Sequence, residues 1–409
     1  MMRHPPTGPV LLALLLAFGV SMACNAATTP VPAADAATAE SRKLADLVDA
    51  YFEEQLKLNP LLATSIGDPR YNDRFEVTIS PEWRARDEKV EREFLERIRS
   101  IDRALLSGQD ALTYEIFKSA REREIEGFRF PGHLIPVNQF YSVPNTFAQL
   151  GSGNGLHPFK TVKDYEDFLQ RIDGFVAWTD QAIVNMREGI AKGYTLPKVL
   201  VERTLPQLAA QLVEKPEDSL YWGPIANLPA TFTAAERENL TAAYRAAISA
   251  QIIPSYRRLH DFLRDEYLAK ARTSVGLDAL PDGKAWYEYN VRSMTTTDYS
   301  PAQIHEIGLR EVERIHGEMR KVMQQVGFEG SLDDFFRFLN NDPQFVHPSR
   351  EALVAGYVDI KNRVDPQLPK LFEILPKADY EVRAVEPFRE KSAAGGQYQA
   401  ASEDGSRPG

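Results

Sequence analysis

The sequence of 409 residues contains one cysteine, Cys24, so an intrachain disulfide is excluded and stability has to come from the apolar core. The same scarcity excludes a cysteine nucleophile within the folded part of the chain. Basic residues are also in deficit, with 48 Lys and Arg against 58 Asp and Glu and a net charge of −10. Because binding of phosphates needs a concentrated basic face, nucleic acid is not an expected partner.

Long apolar runs are scarce, and the one present lies at the N-terminus. Arg3 and His4 precede "VLLALLLAFGV" (residues 10–20), which is followed by the small-residue stretch "SMA" before Cys24. This run is too short for a permanent helix across ~30 Å of hydrocarbon and is typical of a secretory signal. The sequence therefore predicts a signal peptide over residues 1–23 and an exported, periplasmic protein.

Cys24 has two interpretations, since it directly follows the predicted cleavage point. It is the lipid-modified first residue of a bacterial lipoprotein, or an incidental cysteine at the edge of an ordinary signal. A lipid anchor at Cys24 would be the only contact with a membrane. Residues 24–40 lack large apolar side chains and are predicted to be a flexible linker.

Beyond the linker, apolar residues recur at three- and four-residue steps, which predicts a mostly α fold. Ser80 before Pro81 marks one helix start, and Thr161, Thr233 and Ser300 each begin a pattern typical of a capping box. We expect one large multi-helix domain over residues 41–409 with long ordered loops. The helix after Thr233 is expected to be disturbed at Pro254.

Two features near the ends of this pattern add expectations. The alternating segment "YEVRAVEPF" (Tyr380–Phe388) predicts a short strand or hairpin. The chain stops soon afterwards at "GGQYQAASEDGSRPG" with no closing helix, so the helical domain is expected to be incomplete at its C-terminus. The glycines of "GSGNG" (residues 151–155) predict a flexible turn.

Charged residues alternate in sign over residues 84–99, "RARDEKVEREFLERIR", and over residues 121–127, "REREIEG". Such alternation is typical of solvated helix faces with ion pairs four residues apart. We therefore expect both segments to face water.

The stretch "HEIGLREVERIH" begins like the HExxH motif of zinc peptidases. However, Leu309 stands four residues after His305, where the second imidazole of a zinc helix is needed. His316 shares nearly the same helix face as His305, but eleven residues rise by ~16 Å, which is too far for two ligands of one ion. No metal ligand is assigned, and no G-x-S-x-G nucleophile motif occurs. The sequence therefore contains no recognisable catalytic residue.

Five segments in order resemble the bacterial secreted family labelled domain of unknown function 885. They are "LLATSIGDPRYNDRF" (61–75), "IPVNQF" (135–140), "MTTTDYSPAQIHEIGLREVERIHGEM" (294–319), "GFEGSLDDFFRFLNNDPQF" (327–345) and "DGSRPG" (404–409). The resemblance implies the N-terminal portion of a mostly helical zincin-like metallopeptidase. Its HExxH helix, with two histidine ligands, a third ligand from a downstream glutamate and a catalytic glutamate, would follow the "DGSRPG" turn. Zinc is therefore expected only in the full-length family member.

What the resemblance implies for this chain is a wall of a substrate cleft. Zincin clefts bind peptide backbone by strand addition, so the region Tyr380–Gly409 is the expected contact with a peptide substrate. Tyr398 is a candidate aromatic wall and Arg407 a candidate carboxylate clamp; ordinary turn packing and surface charge are the alternative roles. A different class of function is a non-enzymatic periplasmic helical module that binds a peptide or protein through its Pro/Gly-rich loops.

Overall fold

A computed structural model gives the fold, and it describes residues 32–385, 390, 395–403, 405 and 407–409. These residues form α-helices joined by turns and short 3-10 helices, without a β-sheet among them. The prediction of a mostly α fold is therefore confirmed. Within the described part, no helix is both long and apolar enough to cross a membrane. The predicted signal peptide, residues 1–23, and Cys24 lie outside the described residues.

The chain divides into two compact units, one ending at Trp286 and the other comprising Tyr287–Gly409. The boundary falls in a helix whose only buried residue is Gly283, where the sequence predicted one continuous domain over residues 41–409. The helices of the first unit are α1 (Pro32–Leu58), α2 (Pro60–Ile66), α3 (Pro81–Arg99), α4 (Gly108–Gly127), α5 (Val143–Gly151), α6 (Val162–Lys192), α7 (Lys198–Ala209), α8 (Gly223–Ala226), α9 (Ala234–Ala247) and α10 (Ile253–Phe262). Helix α11 (Gly283–Thr295) crosses the boundary, and the second unit contains α12 (Pro301–Gln325), α13 (Leu332–Asn341) and α14 (Arg350–Val364).

Local capping signals place the helix starts as predicted. The Ser80 side chain accepts a hydrogen bond from the Trp83 backbone N–H at the start of α3. Thr161, Thr233 and Ser300 each form a reciprocal capping box, at the starts of α6, α9 and α12. Each box satisfies N–H groups that have no partner within the helix, so these boundaries follow from a few neighbouring residues.

The first core lies where α3 packs against α1 and α4. Tyr51 of α1 makes edge-to-face contacts with Phe94 of α3 and Phe117 of α4, with ring centroids 5.2 and 5.1 Å apart. The apolar faces of the three helices thus share one interior. Its buried members are Leu44, Leu47, Tyr51, Phe94, Leu95, Ile98, Ile101, Leu106, Tyr114 and Phe117.

A second core is aromatic and surrounds α6. The rings of Phe147 and Phe175 stack with centroids 4.2 Å apart and nearly parallel planes. Tyr256 donates its hydroxyl proton to the Pro144 carbonyl (2.6 Å), so the 2.7 Å contact with Tyr221 is a hydrogen bond that Tyr221 donates. Both hydroxyls are thereby satisfied in a fully buried position, which fixes α5 against α10.

Gly151 ends α5 inside this aromatic core. A Cβ atom there would lie 2.4 Å from ring atoms of Phe168 and Tyr221. The prediction of a flexible turn is therefore wrong for Gly151, whose lack of a side chain allows close packing instead.

One long helix runs without interruption from Ala234 to Tyr267 but changes its winding twice. Wider π-helical turns occupy Ile248–Ile252 and Leu263–Tyr267. Pro254 lies in the first turn of α10, directly after the first π segment. The disturbance expected at this proline is therefore present, and the helix continues past it because the wider turn accommodates a residue without an N–H donor.

The second unit buries few of its apolar side chains. Met323 and Phe335 are its only buried large apolar residues among those described, and Phe335 lies in a cluster of rings with Phe328 and Phe338. Of the 26 exposed large apolar side chains of the described residues, seven lie before the boundary at Trp286 and nineteen after it.

The predicted linker over residues 24–40 is wrong in its second half. Residues 32–40 belong to α1, while residues 24–31 lie outside the described part. Alanine has the highest helix propensity, so an alanine-rich stretch extends a helix that is already held by packing. Glu40 contributes to this, because its carboxylate accepts the Asp102 backbone N–H at 3.0 Å.

The strand predicted for Tyr380–Phe388 is wrong for residues 380–385, and Glu386, Pro387 and Phe388 lie outside the described residues. Within the part of the chain that the structure describes, the backbone hydrogen bonds of this stretch join residues 379–381 to Gly409 and extend no further. A strand needs a partner along its length, and one paired residue does not supply it.

Candidate functional site

The histidine pair of α12 does not form a metal site. Leu309 occupies the position one turn after His305, and its side chain is 53% exposed. His305 is exposed, and His316 is half-buried. No group of three His, Cys, Asp or Glu side chains able to hold an ion occurs in the part of the chain that the structure describes. Among the described residues, His305 and His316 therefore have no third side chain that would complete a set of zinc ligands with them.

Two other histidines contact arginines, the half-buried Arg84 and the buried Arg171. Arg84 donates to Nε2 of His133 (3.2 Å), and Arg171 donates to Nδ1 of His157 (2.8 Å). Since a guanidinium can only donate, His157 is neutral with its proton on Nε2, which donates to the Asp164 carbonyl at 2.7 Å. Burial and the adjacent guanidinium lower the pKa of His133 to about 4 and that of His157 to about 3. Both imidazoles thus stay uncharged at neutral pH.

Arg171 is fully buried and organises the segment 64–74. Its guanidinium donates to the carbonyls of Arg74 (3.1 Å) and Tyr71 (3.2 Å) and to the hydroxyl of Thr64 (2.5 Å). Burial lowers the pKa of Arg171 to about 10. One arginine of α6 thus holds three points of the segment "LLATSIGDPRYNDRF", and no local sequence signal indicates these contacts.

A buried ion pair joins α3 to α4. The Arg121 guanidinium lies 2.5 Å from a carboxylate oxygen of Glu91, and both side chains are about 5% exposed. Tyr51 (2.8 Å) and Gln55 (3.3 Å) donate to the other oxygen. The guanidinium also lies over the Tyr51 ring, 4.0 Å from its centroid. The expectation that both charged segments face water is therefore wrong for Glu91 and Arg121, because α1 covers this part of α3.

Excess negative charge accumulates beside that ion pair. Asp87 lies one turn before Glu91 on α3 and is half-buried. Burial, together with the carboxylates of Glu91 and Glu124, raises the pKa of Asp87 to about 7. Burial also raises the pKa of Glu91, although Arg121 and Tyr51 oppose this. The first unit therefore contains one carboxyl group, that of Asp87, whose pKa lies near neutral pH, and its neighbours do not form a catalytic arrangement with it.

Backbone hydrogen bonds join the two ends of the segment that was predicted to contact substrate. The Glu381 N–H donates to the Gly409 carbonyl (2.8 Å), and the Gly409 N–H donates to the Asp379 carbonyl (3.0 Å). This pattern is that of a parallel pairing of Gly409 with Tyr380. Lys361 of α14 supports the segment through Asp379 (3.1 Å) and lies over the Tyr380 ring.

Tyr398 and Arg407 lie in this same segment. The Tyr398 side chain is 75% exposed, and its hydroxyl lies beside Gly409. Arg407 is half-buried, and its guanidinium donates to the Ala400 carbonyl at 2.9 Å. Backbone and hydroxyl hydrogen bonds between Arg407 and Ser402 close the turn. The structure thus gives Arg407 a role in the turn, and the roles of both residues toward a substrate stay predictions.

A loop of the first unit that side-chain hydrogen bonds hold in place exposes two neighbouring aromatic rings. The Asn138 side chain accepts the backbone N–H groups of Phe140 (2.8 Å) and Tyr141 (2.7 Å). Gln207 of α7 holds the same loop by donating to the Gln139 carbonyl at 2.9 Å. The rings of Phe140 and Tyr141 are 48% and 69% exposed. The sequence indicated an ordered, functional loop here but not which side chains it presents.

These features define a multi-helix, all-α protein with two units. The chain belongs to the family described as "Bacterial protein of unknown function (DUF885)", which matches residues 60–409. This agrees with the resemblance seen in the sequence.

A crystal structure of a candidate lipoprotein from Colwellia psychrerythraea is similar to this chain, with a TM-score of 0.79 and 21% sequence identity. The match covers 90% of this chain and 66% of the other, so this chain spans slightly less than two thirds of that protein. At this identity the similarity shows the fold alone. A search of curated proteins gives no significant match.

Proposed function

We propose that this chain is the helical, cleft-forming portion of an exported protein that hydrolyses peptides, and that it acts only together with a C-terminal zinc-binding region. The observation that carries the proposal is the length of the similar structure, which has a further third that this chain does not cover. The activity itself is supported by the resemblance of the five sequence segments. The described residues supply no metal ligand set, so the ligands would belong to the further region.

The test compares this chain with the whole Colwellia psychrerythraea protein. Zinc content is measured by mass spectrometry, and hydrolysis is measured with a mixture of internally quenched peptides. We expect about one zinc per molecule and chelator-sensitive hydrolysis for the whole relative, and neither for this chain alone. Absence of zinc and hydrolysis in the relative, or hydrolysis by this chain alone, would contradict the proposal.

Export and anchoring belong to the same proposal. A similar candidate lipoprotein and the N-terminal apolar run support secretion to the periplasm with a lipid anchor at Cys24. The mass of the mature N-terminus tests this. A diacylated Cys24 supports the anchor, whereas an unmodified Cys24 or a mature start at Ala27 removes it.

A second candidate function is peptide binding without catalysis. It is favoured by the Phe140 and Tyr141 rings, because their loop is held by Asn138 and Gln207 and loses little entropy on binding. An array of peptides probed with this chain alone measures it. Binding that Tyr141→Ala weakens at least tenfold supports this function, with exposed Val275→Ala as the matched control; equal binding by both variants contradicts it.

A further inference from the structure

The first turn of α5 leaves backbone donors without a partner. Thr146 makes the first helical hydrogen bond, to the Ser142 carbonyl at 3.0 Å. Pro144 has no N–H group, and the N–H groups of Val143 and Asn145 donate to no group among the described residues. Free N–H groups at the positive end of a helix dipole favour an anion.

Ser142, the N-cap residue of α5, is buried with an unpartnered hydroxyl. The residue is 2% exposed, and its Oγ has no hydrogen-bond partner in the part of the chain that the structure describes. Its backbone is extended, as is usual for an N-cap, which places the side chain beside the first turn, yet it caps no N–H group there. Because an unpartnered buried hydroxyl is unfavourable, Ser142 indicates a ligand at this helix start, which a turn about χ1 brings within its reach.

Two tertiary hydrogen bonds fix the position of the helix start. The Tyr256 hydroxyl donates to the Pro144 carbonyl at 2.6 Å, and the Asn145 side chain donates to that of Gln207 at 2.9 Å. The donors of the first turn are therefore already in place, so a ligand has to order little of the protein when it binds.

Charged side chains are missing from the sequence around α5. Residues 130–159 contain no Asp, Glu, Lys or Arg, although 26% of the whole chain is charged. No carboxylate of this stretch competes with an external anion for the helix start. No lysine or arginine of this stretch is available for the second charge of a phosphate dianion, which basic side chains normally bind. A group with a single negative charge, such as a carboxylate, fits this environment.

The exposed rings of Phe140 and Tyr141 directly precede the N-cap. Consecutive Cα atoms lie ~3.8 Å apart, so both residues lie within ~8 Å of Ser142. The two ring centroids are 6.2 Å apart, and the ring planes are tilted by 35°. An apolar side chain close to a bound carboxylate can therefore pack on these rings.

We propose that the N-terminus of α5 binds the C-terminal carboxylate of a peptide whose last side chain is aromatic or aliphatic. The carboxylate oxygens accept the N–H groups of Val143 and Asn145, and the Ser142 hydroxyl donates to one of them. The last side chain of the peptide packs on the rings of Phe140 and Tyr141. This site rests on the second candidate function, peptide binding, and adds to it the end of the peptide and the class of side chain that are recognised.

The experiment uses N-acetylphenylalanine, which contains both recognised groups, and its amide as the matched control. An NMR titration of the isotope-labelled chain follows the backbone amides of Val143 and Asn145. We expect both amides to shift and to reach half-saturation with the acid at a concentration about tenfold lower than with the amide. Equal half-saturation by acid and amide, or no shift of these two signals, would overturn the inference. Half-saturation by inorganic phosphate at a lower concentration than by the acid would also overturn it, because the site would then be a phosphate site.

Two serine substitutions separate binding from a structural role of the hydroxyl. Ser142 and Ser107 both precede a helix, α5 and α4, without a side-chain cap hydrogen bond. Ser142→Ala should weaken binding of N-acetylphenylalanine about fivefold and leave the thermal midpoint of the ligand-free chain unchanged, because no hydrogen bond within the protein is lost. Ser107→Ala should change neither quantity. Unchanged binding by Ser142→Ala, with or without a lower midpoint, would overturn the inference.

The outcome for this site and the outcome for peptide binding in general are distinguishable. Peptides that bind through Tyr141 equally well with a free and an amidated C-terminus would keep the second candidate function and overturn this inference. Binding of N-acetylphenylalanine but not of its amide, without any bound peptide on the array, would keep this inference and remove that function.

Discussion

Replacing Arg121 by methionine isolates the charge of Glu91 inside the first core. Methionine keeps most of the volume of the side chain but removes the guanidinium that lies 2.5 Å from the carboxylate. The only remaining donors to Glu91 are the neutral groups of Tyr51 and Gln55. An unpaired buried carboxylate is unstable, so Glu91 is expected to take up a proton in the folded variant.

The free energy needed to protonate Glu91 determines how much stability the Arg121→Met variant loses. Relative to an unfolded-state pKa of about 4.3, protonation costs ~3.7 kcal/mol at pH 7 and ~1 kcal/mol at pH 5. The folded-state pKa of Glu91 in the variant lies above the unfolded value. Its contribution to stability is therefore fully present below about pH 4.3 and is lost as the pH rises. Because the pKa of Glu91 is already raised in the intact ion pair, these costs are upper bounds, and we expect the free energy of unfolding to fall by up to ~3.7 kcal/mol at pH 7 and by up to ~1 kcal/mol at pH 5.

Urea unfolding at pH 5, 6 and 7, followed by circular dichroism and tryptophan fluorescence, measures this. Arg92→Met is the matched control, because Arg92 forms an exposed ion pair with Glu88 (2.6 Å) and should cost less than about 0.5 kcal/mol at each pH. Adding Glu91→Gln to Arg121→Met should remove the pH dependence. A cost for Arg121→Met that is equal at pH 5 and pH 7 would refute the reasoning.

Further expectations concern Asp87 and two glycines. The folded pKa of Asp87, about 7, exceeds its unfolded value of about 3.9, so its contribution to stability is present below about pH 4 and is lost as the pH rises through 7. Asp87→Asn should therefore add up to ~4 kcal/mol to the free energy of unfolding at pH 8, because the two pKa values differ by about 3, and little at pH 4, measured by urea unfolding. Gly151→Ala places a Cβ 2.4 Å from the rings of Phe168 and Tyr221 and should cost ~1–3 kcal/mol in the same assay. Gly317→Ala in α12 meets open space and should add up to ~1 kcal/mol; a cost equal to that of Gly151→Ala would contradict the packing argument.

The parts of the fold that the sequence predicts are those that a few neighbouring residues determine. Thr161, Thr233 and Ser300 satisfy N–H groups within their own first turns, so their helices begin where expected. Glu91 and Arg121 have the same sequence context as solvated charges. Their burial depends on the cover that α1 provides from residues 36 and more positions away, and the periodicity of α3 does not contain this information.

In the candidate site, too, the sequence predicts the features that neighbouring residues determine and not those that depend on tertiary packing. The rejection of a zinc site on α12 needs only the spacing of His305, Leu309 and His316, which any straight helix preserves. The contacts of Arg407 with Ala400 and Ser402, by contrast, depend on how the last turn closes. The anchoring of Phe140 and Tyr141 by a side chain of α7 depends on tertiary packing, so the sequence indicates the loop but not its two exposed rings.

The π turn at Ile248–Ile252 determines in which direction the side chains that follow it in the long helix face. Buried residues recur every four positions at Leu240, Tyr244, Ile248 and Ile252 and then at Tyr256. In a regular α-helix this spacing drifts by ~40° at each step, and the extra residue taken up by a π turn compensates ~100° of that drift. Tyr256 consequently still points at the Pro144 carbonyl, where α5 and the aromatic loop before it are attached. The number of residues in one helix thus determines where Tyr256 meets α5, and so the position of a loop that lies more than a hundred residues earlier in the chain.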